Sequence, residues 1–176
     1  MKKISANERI FIAGSSGMAG NAICNSLKKH GYGLKENNGE LLTPKRKELD
    51  LTDSYSVKDW FKEKKPSIVI LAAAKVGGIL ANSIYPADFI LQNLKIQNNV
   101  IETAFNYGVK RFLFLGSSCI YPKFCSQPIS EDYLLKGKLE ETNESYAIAK
   151  IAGIKLCQSL RQQYGFDAIS LMPTNL

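Results

Sequence analysis

Tyr146 and Lys150 stand four residues apart in the stretch Tyr146-Ala147-Ile148-Ala149-Lys150, a YxxxK. Residues four apart on a helix share a face, so both side chains can enter one cleft. A free tyrosine has a pKa near ~10, too high for proton transfer at neutral pH, and a neighbouring ammonium favours the phenolate. Ser117 precedes the tyrosine by 29 residues and follows the apolar run Arg111–Leu115 after Gly116. Its hydroxyl is thereby expected at the carboxyl end of a strand, where open parallel sheets place their ligands. A hydroxyl donor, a tyrosine acid and a lysine together suit protonation of an oxygen that gains negative charge.

A second motif opens the chain. Gly14-Ser15-Ser16-Gly17-Met18-Ala19-Gly20 reads GxxGxxG between a predicted strand and a predicted helix. Glycines there permit a tight turn and let backbone N–H groups approach a pyrophosphate at the positive end of the helix. After the next predicted strand, dinucleotide folds that prefer NAD carry an Asp or Glu for the ribose hydroxyls. Thr43-Pro44-Lys45-Arg46-Lys47 stands in that place. Arg46 can grip a 2′-phosphate that a carboxylate would repel, so NADP(H) is the expected cofactor. Asp50 and Leu51 can address the adenine edge, or Asp50 can cap the following segment.

Short apolar runs alternate with helix-length segments around these motifs. Strands are expected at Arg9–Ala13, Glu40–Thr43, Ser67–Ala73, Arg111–Leu115 and Ala168–Met172. Helices are expected at Met18–Lys29, with Met18, Ala22, Ile23 and Leu27 facing inward, and at Ser54–Lys64, Pro86–Tyr107 and Glu144–Tyr164. Residues from Cys119 to about Thr142 read as irregular. The alternation predicts an α/β fold, a doubly wound parallel sheet with helices on both faces, and one domain over residues 1–176.

Composition sets the outer bounds. The chain has 176 residues, 45% hydrophobic and 22% charged, with a net charge of +7. The basic residues are dispersed and not interleaved with aromatics, so a polyanionic small molecule is expected as partner and nucleic acid is not. No apolar run reaches the ~20 residues of a membrane span, and no signal-peptide core follows the first lysines. Cytoplasm is the expected location. Cys24, Cys119, Cys125 and Cys157 with the single His30 make no zinc pattern and no disulfide framework, so no metal is expected.

With these motifs in place, AAAKVGGI (Ala72–Ile79), YPADFI (Tyr85–Ile90), FLGSSCIYPK (Phe114–Lys123), SYAIAKIAGIKLC (Ser145–Cys157) and MPTNL (Met172–Leu176) resemble the GDP-L-fucose synthases. These form a branch of the extended short-chain dehydrogenases/reductases, which have a Rossmann-like fold. The resemblance runs from about Glu8 to the end, and SSCIYPK is its most discriminating part. It implies that Gly14, Gly17 and Gly20 cradle the cofactor phosphates, that Arg46 contacts the 2′-phosphate, and that Ser117, Tyr146 and Lys150 form the triad. Leu115, Gly116 and Ser118 beside the triad, and Pro173, Thr174, Asn175 and Leu176, are implied to line the cofactor site. Ser16 stands where some relatives carry an arginine.

The resemblance also implies the chemistry. A C4 ketone acidifies C3 and C5 of a GDP-4-keto-6-deoxy-D-mannose substrate, and Cys119 corresponds to the family's acid/base for their epimerisation. A thiol of ordinary pKa ~8.5 needs modest activation for that task. NADPH then reduces C4 while Tyr146 protonates the oxygen and Lys150 holds the ribose and tunes the tyrosine. The family's partner histidine and most sugar contacts lie beyond the PTNL segment. The expectation is therefore of a chain cut short before its substrate domain and inactive alone.

A homodimer built from the helices Pro86–Tyr107 and Glu144–Tyr164 is likewise implied. Phe89, Ile90, Leu94, Ile96, Val100, Ile101, Ala104 and Phe105 are more than one packed face of the first helix needs. A 4,6-dehydratase usually carries an acid after the triad Ser/Thr, where this chain has Ser118 and Cys119. A 4-epimerase keeps NAD, against the Arg46 loop. An inactive dinucleotide-binding module is the remaining alternative.

Overall fold

A computed structural model describes residues 4–174 of the chain. Strands β1 (Arg9–Ala13), β2 (Glu40–Leu42), β3 (Ile68–Leu71), β4 (Arg111–Leu115) and β5 (Ala168–Leu171) form one sheet in the order β2-β1-β3-β4-β5, every pairing parallel. β1 and β3 are apolar at nearly every position because helices cover both of their faces. On one face, Ile10, Ile12, Ile68 and Ile70 pack on Cys24, Ile23 and Leu27 of helix α1 (Met18–Lys29). On the other, Phe11, Val69, Phe112 and Phe114 pack on Phe61 of α2 (Ser54–Lys64), Ile101 of α4 (Pro86–Asn106) and Ile154 of α5 (Glu144–Tyr164). The expected Rossmann-like α/β fold is thus present. The order of winding reverses between β1 and β3, since β2 lies on one side of β1 and β3 on the other, which opens a crevice at their carboxyl ends.

Three expectations need correction. The face that α1 turns inward is Gly20 and Cys24, with Ile23 and Leu27 half-buried. Met18 is 68% exposed and Ala22 is exposed. The cause is Gly20, which must lie against Gly14, and this sets the rotation of the whole helix. Second, a short helix α3 (Ile79–Ile84) follows β3, and 3-10 turns at Ser118–Ile120, Glu131–Tyr133 and Glu141–Asn143 organise the stretch read as irregular. Third, none of the eight apolar residues singled out on α4 is exposed: each is buried or half-buried. Ile96, Val100, Ile101, Ala104 and Phe105 pack in the core cluster with the sheet and α5, whereas half-buried Ile90 and Leu94 stand outside it.

Candidate active site

The phosphate turn follows from two close approaches. Gly14 has φ +87°, and a Cβ there would lie 2.7 Å from the Ala73 backbone just past β3. A Cβ on Gly20 would lie 2.1 Å from the Gly14 carbonyl oxygen. The turn is pinned between β1, the loop after β3 and the first turn of α1. Gly17 differs: its nearest neighbour would be 3.4 Å from an added Cβ, so its surface faces open space. Gly17 is also the residue at which α1 begins, with orphan N–H groups aimed outward.

Beyond this turn lies a cleft of about 580 Å³ walled by Gly14, Ser16, Gly17, Met18, Ala19, Gly20, Arg46, Asp50 and Leu51. Ser15 is half-buried beside it. Arg46 stands on the cleft wall and is exposed. Asp50 Oδ1 accepts from the Thr52 N–H at 2.9 Å and the Thr52 hydroxyl at 2.8 Å, which hold its carboxyl below the usual carboxylate range. Asp50 therefore caps its own turn and lines the cleft as well. A glycine cradle that a Cβ would fill, a helix N-terminus and a guanidinium fit a phosphorylated dinucleotide.

The second cluster is not among the walls of that cleft. Ser117 leaves β4 and accepts from the N–H of Cys119 at 3.4 Å, which starts the 3-10 turn. The Cys119 thiol donates to the same Ser117 oxygen at 3.1 Å. On α5, Tyr146 is half-buried and Lys150 only 4% exposed. Lys150 Nζ donates to the Leu115 carbonyl at 2.7 Å and lies 5.8 Å from the centre of the Tyr146 ring. The N–H of Gly116 donates to the Leu171 carbonyl at 2.7 Å, and that of Ser118 to the Pro173 carbonyl at 3.1 Å. These bonds join the end of β5 to the serine turn. Thr174 is exposed, and Asn175 and Leu176 lie outside the described residues.

Electrostatics depart from expectation. Burial and the facing Cys119 push the Tyr146 phenol up to about 12, and the pull downward comes from Ser117 rather than Lys150. Burial draws Lys150 down to about 8. Burial also raises Cys119, against weaker pulls from Ser117 and Lys150. In each case desolvation disfavours the charged form more than the neighbours restore it. The resting cluster is neutral at Cys119 and Tyr146, without the net activation that residue types alone suggested.

The pattern of the NAD dependent epimerase/dehydratase family matches residues 10–176. The chain belongs to that family. It is similar to GDP-L-fucose synthase 1 of Arabidopsis thaliana, 58% identical over 96% of this chain and 50% of the relative. GDP-L-fucose synthase of Escherichia coli K12 is 54% identical over 97% of this chain and 51% of the relative. Among solved structures, a GDP-mannoheptose C4 reductase from Campylobacter jejuni with NADP bound superposes with a TM-score of 0.91 at 42% identity, over 98% of this chain and 53% of that one. The chain spans about half the length of the curated relatives it matches.

Within this epimerase/dehydratase domain, sequence reasoning missed the wall formed by the loop after β3. Ala72, Ala73, Ala74, Lys75 and Val76 line the cleft together with Gln92 and Ile96 of α4. Asn93, 2% exposed, holds that loop: its amide exchanges bonds of 2.9 Å with the N–H and the carbonyl of Lys75. Asn93 and Gln97 lie on the buried face of α4 with Phe89, Val100 and Ile101, and amides at that helical spacing were the available signal, since a buried amide requires partners.

Proposed function

We propose that this chain binds NADP(H) through the Gly14–Gly20 turn and Arg46. We infer further that it carries the reacting groups of a GDP-4-keto-6-deoxy-D-mannose 3,5-epimerase/4-reductase, the reaction that forms GDP-L-fucose. The observation that carries this reading is the Cys119 thiol on the Ser117 hydroxyl, beside Tyr146 and Lys150. A reductase needs only Ser, Tyr and Lys; a thiol placed among them adds a group able to move carbon-bound protons. A 4,6-dehydratase would want a carboxylate at that place, and none is there. The synthases named above and the NADP-bound reductase support the reading.

Cys119, as thiolate, removes a proton from a carbon next to the C4 ketone, and as thiol it can return one. Ser117 donates to the ketone oxygen, which stabilises charge gathering there. Tyr146 then protonates that oxygen during reduction. Bound NADPH supplies the hydride. Lys150, fixed on Leu115, holds its ammonium beside the tyrosine and the cofactor ribose. A cytoplasmic, homodimeric enzyme is part of the same reading.

Isotope exchange tests it, with the chain assayed as it stands and joined to the remaining half of the Arabidopsis relative. Cys119→Ser abolishes deuterium wash-in at C3 and C5 yet permits hydride transfer to C4. Tyr146→Phe keeps exchange but slows reduction by about 10²–10⁴, the range for a lost general acid. Normal exchange in Cys119→Ser would show that the cysteine is only a packing residue.

A further inference from the structure

Ser117 has one hydroxyl hydrogen and two acceptor positions on oxygen. Cys119 occupies both acceptors, through its N–H at 3.4 Å and its thiol at 3.1 Å. The hydroxyl hydrogen therefore points away from Cys119, and the Ser117 side chain is the group that pulls the Tyr146 phenol downward. Removing the thiol proton reverses this. A thiolate only accepts, and the Ser117 hydrogen is the donor already in contact with it. The other titratable groups that act on Cys119 both come from α5: Tyr146, and Lys150, whose Nζ is turned onto Leu115.

We propose that Ser117 is a positioning residue for Cys119 as well as a donor in the reductive set, and that the protonation of Cys119 decides which of the two its hydroxyl hydrogen serves. With the thiol protonated, the hydrogen is available to Tyr146 or a ketone oxygen. With the thiolate formed, it turns to sulfur. The carbon-acid step and the reductive step then draw on one donor and exclude each other in time. The assignment deepens the epimerase/reductase reading and rests on it for the roles of Cys119 and Tyr146.

The test needs no substrate. Iodoacetamide labelling of Cys119 is followed against pH in the chain as it stands, by peptide mass spectrometry, with the half-buried Cys125 as internal reference. Ser117→Ala and Ser117→Gly each move the Cys119 midpoint up by about one pH unit, a tenfold loss of thiolate at a given pH. Ser117→Thr, which keeps the hydroxyl, restores it, and the Cys125 profile stays put throughout. Tyr146→Phe shifts the midpoint when Ser117 is present and not when it is Ala, which locates the coupling in the serine. An unmoved midpoint in the Ala and Gly variants, or the same Tyr146→Phe shift in both backgrounds, overturns the proposal. Because labelling reports only on the thiol, it can succeed where the isotope-exchange test fails, and the reverse.

Discussion

The ammonium of Lys150 donates to the backbone carbonyl of Leu115 at 2.7 Å, tying helix α5 to the strand end from which Ser117 emerges. The same Nζ lies 4.9 Å from the centre of the Phe114 ring. One carbonyl and one aromatic face replace only part of the hydration of an ammonium, so burial lowers the lysine to about 8. Below that pH the folded chain carries a buried charge that the unfolded chain solvates. Between about 8 and the ordinary lysine value of 10.5, the unfolded chain binds the proton and the folded one does not. Stability attributable to this group therefore rises with pH across that window. Cys157, raised by burial to about 12, acts oppositely: its contribution is full below 9.0 and is lost as pH climbs toward 12. The difference in urea-unfolding free energy between wild type and Lys150→Met isolates the lysine. It should change in favour of wild type between pH 8 and 10, by on the order of 1–3 kcal/mol. A flat difference would contradict the lowered lysine.

Much of the frame was legible because it depends on local pattern. β1 and β4 begin and end where the sequence placed them, since their apolar runs are bounded by charges and by Gly14 and Gly116. α3 escaped notice because Ile79, Leu80 and Ile84 are exposed, so its apolar residues mark no buried face. Ser117, Tyr146 and Lys150 could be grouped from the sequence, but their proton affinities could not. The lift on Tyr146 comes from burial and from Cys119, and both exist only once β4 and α5 are packed. The rotation of α1 was misread for the same reason, since Gly20 is placed by Gly14 rather than by its own helix.

Arg46 is the proposed determinant of the cofactor. It stands exposed on the cleft wall, where one side chain can grip a 2′-phosphate at modest desolvation cost. A lost charge-assisted contact costs about 1.5–3 kcal/mol. Arg46→Ala should thus weaken NADPH binding by roughly 10–150-fold and leave NADH binding almost unchanged. Calorimetric titration with both cofactors measures this, and equal losses for the two would remove Arg46 from the 2′-phosphate.

Assembly can be tested at the apolar side chains that α4 and α5 leave to solvent. Leu91 is 54% exposed and Ile148 is 43% exposed. If two copies meet through these helices as a four-helix bundle, both side chains are buried on pairing. Sedimentation at micromolar concentration should give a dimer for the wild type and a monomer for Leu91→Asp or Ile148→Asp, because an unpaired carboxylate in such an interface is costly. A monomeric wild type would rule out this interface.

The two glycines Gly17 and Gly20 should separate folding from binding. At Gly20 an added Cβ would sit 2.1 Å from a backbone oxygen, with Gly14 carbonyl carbon at 2.7 Å and Ser15 Cα at 2.9 Å. All three are main-chain atoms, and Gly14 is itself held against Ala73, so none can yield cheaply. Gly20→Ala should therefore lose more than ~2 kcal/mol of stability, the scale of an overpacked core. At Gly17 the only close atom is 3.4 Å away, ordinary contact, and the backbone is extended at φ −76°. Gly17→Ala should unfold at the wild-type urea midpoint. Its methyl group nevertheless projects where a pyrophosphate must approach the first N–H groups of α1, so affinity for NADPH and NADH should fall together by tenfold or more. Urea titration and calorimetry on the two variants give the comparison. Retained affinity in Gly17→Ala would show that phosphate does not reach this turn, whatever its glycines resemble.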